Sequence, residues 1–343
     1  MKLEDIGFYT LSDARADGVN ATSRLMRCEL ILTDACNFKC PYCRGPKHKR
    51  EAFMPYEQAS GLVIGWAEAG LFAIRFSGGE PTLYPQLPAL VALASALGIE
   101  HVAVSTNGSA DRTLYKKLVD LGVNDFSISL DAFDRETAKR MAGGVDAFDK
   151  VIANIKYLSE RTYVTVGMVF TEETMYQARE AVEFAASLGV SDIRVLSSAQ
   201  FDGALEGLVD LPDVFLNDYP ILKYRVENFR VGRNVRGLRA GDTSACPLVL
   251  DDQAVAGDKH FPCIIYLREG GDPIGTVGPN MRTERTKWFV RHDTGLDPIC
   301  SRNCLDVCVD YNNRSMDKGV VRRGYLSGAG GHPKRADKTG VTL

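Results

Sequence analysis

The sequence predicts an α/β protein, a parallel sheet with helices packed outside it, followed by a smaller cysteine-rich module. Three observations carry this. Short apolar runs rich in Ile, Val or Phe alternate with stretches of helical periodicity through six units between residues 28 and 197. The alternation stops after Leu196. The nine cysteines fall into two groups, three within residues 36–43 and five in the last hundred residues, with Cys28 apart from both.

The elements follow in order. Residues 1–25 carry little pattern and read as a leader that packs on the sheet or extends along it. Strands are expected at 28–33, 72–77, 101–106, 125–130, 162–170 and 192–197. Between them, 56–69 places Leu62, Val63 and Trp66 on one helical face, and 86–97 does the same with Leu90, Val91, Ala94 and Leu97. Further helices are expected over 111–121, 146–160 and 173–188. Cys28 alternates with Leu30 and Leu32 and reads as a small buried hydrophobe. Six units are too few for a closed eight-fold barrel.

Composition narrows the class. The 343 residues are 45% hydrophobic and 25% charged, enough for a sizeable core. A net charge of −3 gives no general basic field for nucleic acid. No run of eighteen apolar residues exists to span a membrane, and the N-terminus lacks the apolar core of a signal peptide. A cytoplasmic location is therefore expected. There thiols stay reduced, which favours metal ligation over disulfides.

The chemistry centres on Thr33-Asp-Ala-Cys36-Asn-Phe-Lys-Cys40-Pro-Tyr-Cys43. Three thiolates in one short loop can hold three irons of a 4Fe–4S cube and leave the fourth iron open. The bland alternatives are a zinc knuckle, which would need a second CxxC pair, and a disulfide pair. Polar residues recur at the strand ends: Ser77 to Glu80, Ser105 to Gly108, Ser127 to Asp131, Met168 with Thr171, and Ser197-Ser198. Any one of them is equally a turn former or cap. As a set they lie where barrels of this kind gather their chemistry, at the carboxyl ends of the strands.

The CxxxCxxC loop with Tyr42 before its last cysteine, together with Phe76-Ser77-Gly78-Gly79-Glu80-Pro81-Thr82, resembles the radical SAM superfamily. The resemblance implies a partial (β/α)6 TIM-like barrel. It implies a 4Fe–4S cluster on Cys36, Cys40 and Cys43 whose open iron binds S-adenosylmethionine (SAM). It also implies an electron donor such as flavodoxin or ferredoxin. By the same resemblance Gly78 and Gly79 contact the methionine amino group with Glu80 nearby, and Ser129 and Asp131 lie at the ribose or amino group. Thr106 and Asn107 stand nearby, and the Tyr42 backbone and Leu196 flank the adenine. No catalytic side chain is assigned.

Beyond the barrel, 205–229 reads as a helix broken by Pro212 and Pro220, and 230–245 as a basic connecting loop or hairpin. The expected division is a leader at 1–25, a barrel at 26–229, an auxiliary module at 230–317 and a mobile tail at 318–343. Cys246 and Cys263 flank a turn whose strand pair would bring both thiols to one end, and Cys300, Cys304 and Cys308 follow at spacings of four. This resembles the twitch and SPASM auxiliary-cluster extensions, without the CxxC pair of the full SPASM pattern. One auxiliary 4Fe–4S cluster is expected, with a structural zinc site as the alternative. On one regular helix Cys300 and Cys308 would stand about 12 Å apart, wide for a single cube, so either the helix breaks or one thiol is spare. His260 and His292 are left out of the metal set. The basic run at 44–50 is either a solvated loop or a surface for an electron donor or anionic substrate, and 274–285 either an entrance or a surface loop.

The expected function is reductive cleavage of SAM to a 5′-deoxyadenosyl radical that abstracts hydrogen from a small molecule, with the auxiliary cluster assisting oxidation or bond formation. Only 35 residues precede Cys36, which leaves no room for a peptide-recognition domain ahead of the loop. One alternative is a maturase of ribosomal peptides recognised in trans. Another is a SAM-binding iron–sulfur sensor or scaffold that does no chemistry. The molybdenum-cofactor cyclase, a cousin on the barrel side, is set aside because its C-terminal Gly-Gly and its second cysteine spacing are not found here.

Overall fold

A computed structural model describes residues 14–44, 53–197 and 202–317. The 45–50 part of the basic run, Ser198 and the tail lie outside these residues. Six parallel strands form the barrel wall: β1 (Arg27–Thr33), β2 (Ala73–Gly78), β3 (His101–Thr106), β4 (Asp125–Ser129), β5 (Tyr163–Phe170) and β6 (Asp192–Ser197). Each pairs parallel with its sequence neighbour, with one register shift between Ile31 and Thr33 of β1. The crossovers are α1 (Tyr56–Glu68), α2 (Leu87–Ala96), α3 (Arg112–Asp120), α4 (Arg135–Met141) with α5 (Phe148–Ser159), and α6 (Ala178–Ser187). Parallel strands need such crossovers, and covering helices bury the outer sheet face. Helix α4 was not anticipated. It is one short stretch capped by Asp134, which accepts from the Thr137 amide.

Strand alternation sorts side chains between two surroundings. Cys28, Leu30 and Leu32 of β1 face the outer core with Ile74 and Phe76 of β2. Arg27, Glu29, Ile31, Arg75 and Ser77 face a central cavity instead. Helix α1 buries Ala59, Leu62, Val63 and Trp66, and α2 buries Leu87, Leu90, Val91 and Ala94. Each large side chain so buried stabilises by about 1.5–3 kcal/mol. Leu97 does not join that face. The helix ends at Ala96, and Leu97 is 41% exposed ahead of Gly98.

The C-terminal part continues the same sheet. After α7 (Asp213–Asn217) and α8 (Pro220–Arg230), which begin just after Pro212 and at Pro220 as expected, β7 (Asp252–Ala256) pairs parallel to β1. Strands β8 (Lys259–Phe261) and β9 (Gly275–Thr276) add antiparallel, giving the order β6-β5-β4-β3-β2-β1-β7-β8-β9. The described strands form an open wall, because β6 and β9 are its two edges. Four helices complete the module: α9 (Ile264–Arg268), α10 (Met281–Arg291), α11 (Pro298–Asn303) and α12 (Asp306–Asp317). Of the loop expected at 274–285, Gly275–Thr276 form β9 and the last five residues begin α10. The described part of the leader packs on both barrel and module: Leu25 lies against the barrel core and Arg24 over the Phe72 ring, while earlier residues reach this module. Ala16 and Val19 join a second core with Leu248, Val249, Phe289 and Tyr311, and Arg314 grips Asp17 at 2.7 Å. No described helix is long and apolar enough to cross a membrane.

Candidate active site

The first cysteine loop leaves β1 at Thr33, whose Oγ1 accepts from the Ala35 amide at 3.0 Å. The Gly-Gly-Glu segment clamps it: Gly79 N donates to Thr33 O at 2.7 Å and Glu80 N to Ala35 O at 2.8 Å. A Cβ on Gly78 would meet Thr33 O at 2.4 Å, and one on Gly79 would meet Ala35 O at 2.3 Å. The two glycines therefore serve backbone-to-backbone contact as well as any ligand. On the other side Lys39 N donates to Ala142 O, and Gly143, at φ 72°, lies so close that a Cβ would meet Lys39 O at 2.2 Å. Asn37 ties the loop to the end of β3, accepting from Asn107 Nδ2 at 2.8 Å and donating to Ser109 Oγ at 2.9 Å.

Cys36, Cys40 and Cys43 open into one cavity of about 440 Å³. Its wall also holds Tyr42, Gly78, Gly79, Thr106 and Asn107, and beyond them Ser129, Asp131 and Leu196. Eight of the nine residues expected around SAM are thus brought together. Glu80 is the exception and a correction. It is 1% exposed, does not reach the cavity, and its carboxylate accepts from Thr82 N, Thr82 Oγ1, Thr106 Oγ1 and Asn107 N. It braces the glycine turn against the end of β3 instead of facing a ligand, and burial raises its pKa. Asp131 accepts from the Tyr42 hydroxyl at Oδ2 and from Val169 N at Oδ1, 2.8 Å away, and burial pushes it up to about 6.

The second thiol group lines the same cavity, contributing Cys246, Cys263, Cys300, Cys304 and Cys308. The β7–β8 hairpin brings Cys246 and Cys263 together, as the turn between them predicted. Arg285, 1% exposed, fastens both flanks by donating to the carbonyls of Val249, Asp252, Phe261 and Pro262. The buried Arg225–Asp306 ion pair holds α8 to the start of α12. The segment from Cys300 to Cys308 is two helices, not one, because the chain turns at Cys304 (φ −57°, ψ 133°). That break removes the spacing problem of a continuous helix. His292, left out of the metal set on sequence, lies 3.8 Å from Cys300 Sγ, a partner eight positions along and across a turn. His260 is fully buried against Glu284 at 2.8 Å and is no candidate ligand.

All nine cysteines are free thiols. Burial pushes Cys40 and Cys246 up to about 11 and Cys308 to about 12, so deprotonation awaits a cationic partner. N–H donors already point at sulfur: Phe38 N at Cys36, Tyr266 N at Cys263 and Asn312 Nδ2 at Cys246. Hydrogen bonds to sulfur are among the levers proteins use on iron–sulfur clusters. The donor set of each thiol group fits such a cluster.

Comparisons agree with this geometry. Residues 30–185 match the Radical SAM superfamily. A probable GTP 3′,8-cyclase of Saccharolobus solfataricus is 34% identical over 170 residues, 49% of this chain and 55% of that protein. One from Metallosphaera sedula is 30% identical over 171 residues, 49% and 54% of the two. The chain thus spans about half the length of the curated relatives it matches. Among solved structures, anSMEcpe with bound AdoMet and Kp18Cys peptide superposes with a TM-score of 0.61 at 15% identity, covering 86% of this chain and 96% of that one. Streptococcus suis SuiB gives 0.54 at 18%, covering 73% and 63%. These structural likenesses show a shared fold. The clamped three-cysteine loop and the Gly-Gly-Glu turn both lie within the stretch of the barrel, residues 30–185, that is similar to the radical SAM superfamily.

Proposed function

We propose that this chain is a radical SAM enzyme with one auxiliary 4Fe–4S cluster, acting on a small molecule. One observation carries the reading: two groups of free thiols, far apart in sequence, line a single cavity. Cys36, Cys40 and Cys43 would hold the first cluster, and four of the five C-terminal thiols the second. Bound there, the first cluster and SAM would supply a 5′-deoxyadenosyl radical for hydrogen abstraction, and the second cluster a place for an electron. The chain's own residues shape the space between. Gly78 and Gly79 let backbone approach a ligand, Asp131 offers a carboxylate toward hydroxyls, and Leu196 gives an apolar patch for a flat base.

The relatives named GTP 3′,8-cyclase align with half of this chain, so they support the barrel chemistry and not that substrate. A second reading, a peptide recognised in trans, draws support from the peptide in the anSMEcpe complex and the precursor peptide SuiA bound to SuiB. Anaerobic reconstitution with SAM and dithionite tests the main reading. Release of 5′-deoxyadenosine with about eight irons per chain is expected. Bound cluster and SAM without 5′-deoxyadenosine would leave only a sensor or scaffold.

A further inference from the structure

The cavity holding both thiol groups has a rim where its wall meets solvent. Cys43 and Arg44 stand there on the barrel side, and Arg268 and Glu269 on the side of the C-terminal module. Cys43 and Arg268 are exposed, and Arg44 and Glu269 are partly so. Arg44 and Glu269 are 225 positions apart in the chain, so the rim is a seam between distant segments.

Helix α9 runs from the module to this seam, and its two ends are held differently. The start is built into the module. The Pro262 carbonyl just before it accepts from the buried Arg285 at 3.3 Å, and the Tyr266 hydroxyl donates to Asp297 Oδ2 at 3.0 Å. The far end reaches the barrel through charged side chains. Glu269 pairs with Arg44, and Arg268 Nη2 lies 3.3 Å from Glu29 Oε1 and 3.5 Å from Ser77 Oγ. Gly270 then turns the chain at φ 78°, a conformation that costs glycine little.

Burial decides what such pairs can do. Arg225 and Asp306 are 1% and 0% exposed, and parting them would strand a charge away from water. That pair fixes the module. Arg44 and Glu269 are 26% and 20% exposed, and Arg268 is 42% exposed against Glu29 at 12%. Water can take the place of a partner there, so these pairs are weak and screened by salt. They hold a closed position without locking it.

We infer that the last turn of α9, latched by Glu269 to Arg44 and by Arg268 to Glu29, is a gate at the cavity mouth that parts to admit SAM and closes behind it. This rests on the SAM-binding reading above. A gate whose pairs form alike with and without ligand changes entry and exit rates by one factor and leaves affinity as it was. A wall residue that touches SAM changes affinity instead.

The test follows radiolabelled SAM by rapid filtration on the anaerobically reconstituted full chain, beside hydrogen exchange of peptides covering residues 263–271. Glu269→Gln keeps the side-chain shape and removes the charge. SAM association and dissociation are both expected to speed up roughly fivefold, the ratio set by a part-exposed ion pair, with affinity unchanged and faster exchange at the end of α9. Arg268→Met should act the same way through the second pair, and Arg44→Glu combined with Glu269→Arg should restore the parent's rates. Added salt should bring the parent's rates toward those of Glu269→Gln. Unchanged SAM rates overturn the gate, even where exchange is faster, because the pairs then only brace the helix. Lost affinity at a constant association rate overturns it too and makes Glu269 a ligand contact. A parent chain that binds no SAM sinks the underlying reading and the gate with it, a failure seen before any substitution is made.

Discussion

Glu80 offers the sharpest test of the site's construction, because family resemblance puts it at the ligand and the structure puts it behind the wall. Its Oε1 accepts from Thr82 N at 3.1 Å, Thr82 Oγ1 at 2.6 Å and Thr106 Oγ1 at 2.7 Å, and its Oε2 accepts from Asn107 N at 2.7 Å. In Glu80→Gln, either amide orientation sets an NH2 group against a backbone N–H, of Asn107 or of Thr82. One charged hydrogen bond is lost, at about 1.5–3 kcal/mol, and the facing donor is left unpaired. Part of this is offset, because the neutral side chain no longer bears the burial that raises the carboxyl pKa. A net local loss of about 2 kcal/mol follows, or roughly a 30-fold faster amide exchange. Hydrogen-exchange mass spectrometry on peptides covering residues 80–84 and 105–109 reads this directly. SAM affinity, by equilibrium dialysis, is expected to fall only in step with the loosened turn. Unchanged exchange combined with abolished SAM binding would refute the brace and return Glu80 to the ligand.

Other outcomes follow from the same contacts. Gly79→Ala and Gly143→Ala each drive a Cβ into a backbone carbonyl of the cysteine loop, so iron uptake at the first cluster should drop severely, measured by iron content and the SAM-dependent change in its paramagnetic signal. Asp192 is buried and pushed up to about 7, mainly by burial and against the amide bonds from Ile221 and Ile193. Unfolded aspartate titrates near 3.9, so the folded chain holds this proton more tightly; the contribution is full below about pH 4 and is lost as pH rises through about 7. Asp192→Asn stays neutral, keeps an acceptor for the amides and can donate to Tyr163, so its unfolding midpoint should vary less than the parent's between pH 4 and 8. Arg225→Met strands Asp306 as an unpaired buried charge and should cost about 3–5 kcal/mol, with Asp306→Leu added on top recovering most of it in denaturant titrations.

Much of the fold was legible in order along the chain. All six barrel strands, the faces of α1 and α2 and the breaks near Pro212 and Pro220 follow from local periodicity and proline chemistry, which act within a few residues. The short α4 and most of α10 escaped. Helix α4 is a single brief stretch, and α10 has charged residues through its length with only Arg285 and Phe289 buried, so it shows little apolar periodicity. Eight of nine residues expected around SAM line the cavity because strand ends in a parallel sheet meet at one rim. Glu80 does not, since its direction depends on which donors of β3 lie beside it.

By itself the sequence determined the alternating α/β barrel and the loop of three thiols, because both are written in spacings of a few residues. It also determined the two-group division of the cysteines. Only tertiary structure decided that β7 extends the barrel sheet through β1 and that both thiol groups share one cavity. It alone set His292 and Asp297 against Cys300. Those relations join residues far apart in the chain, and they are fixed by sheet pairing and by buried ion pairs and hydrogen bonds that leave no periodic trace in the sequence.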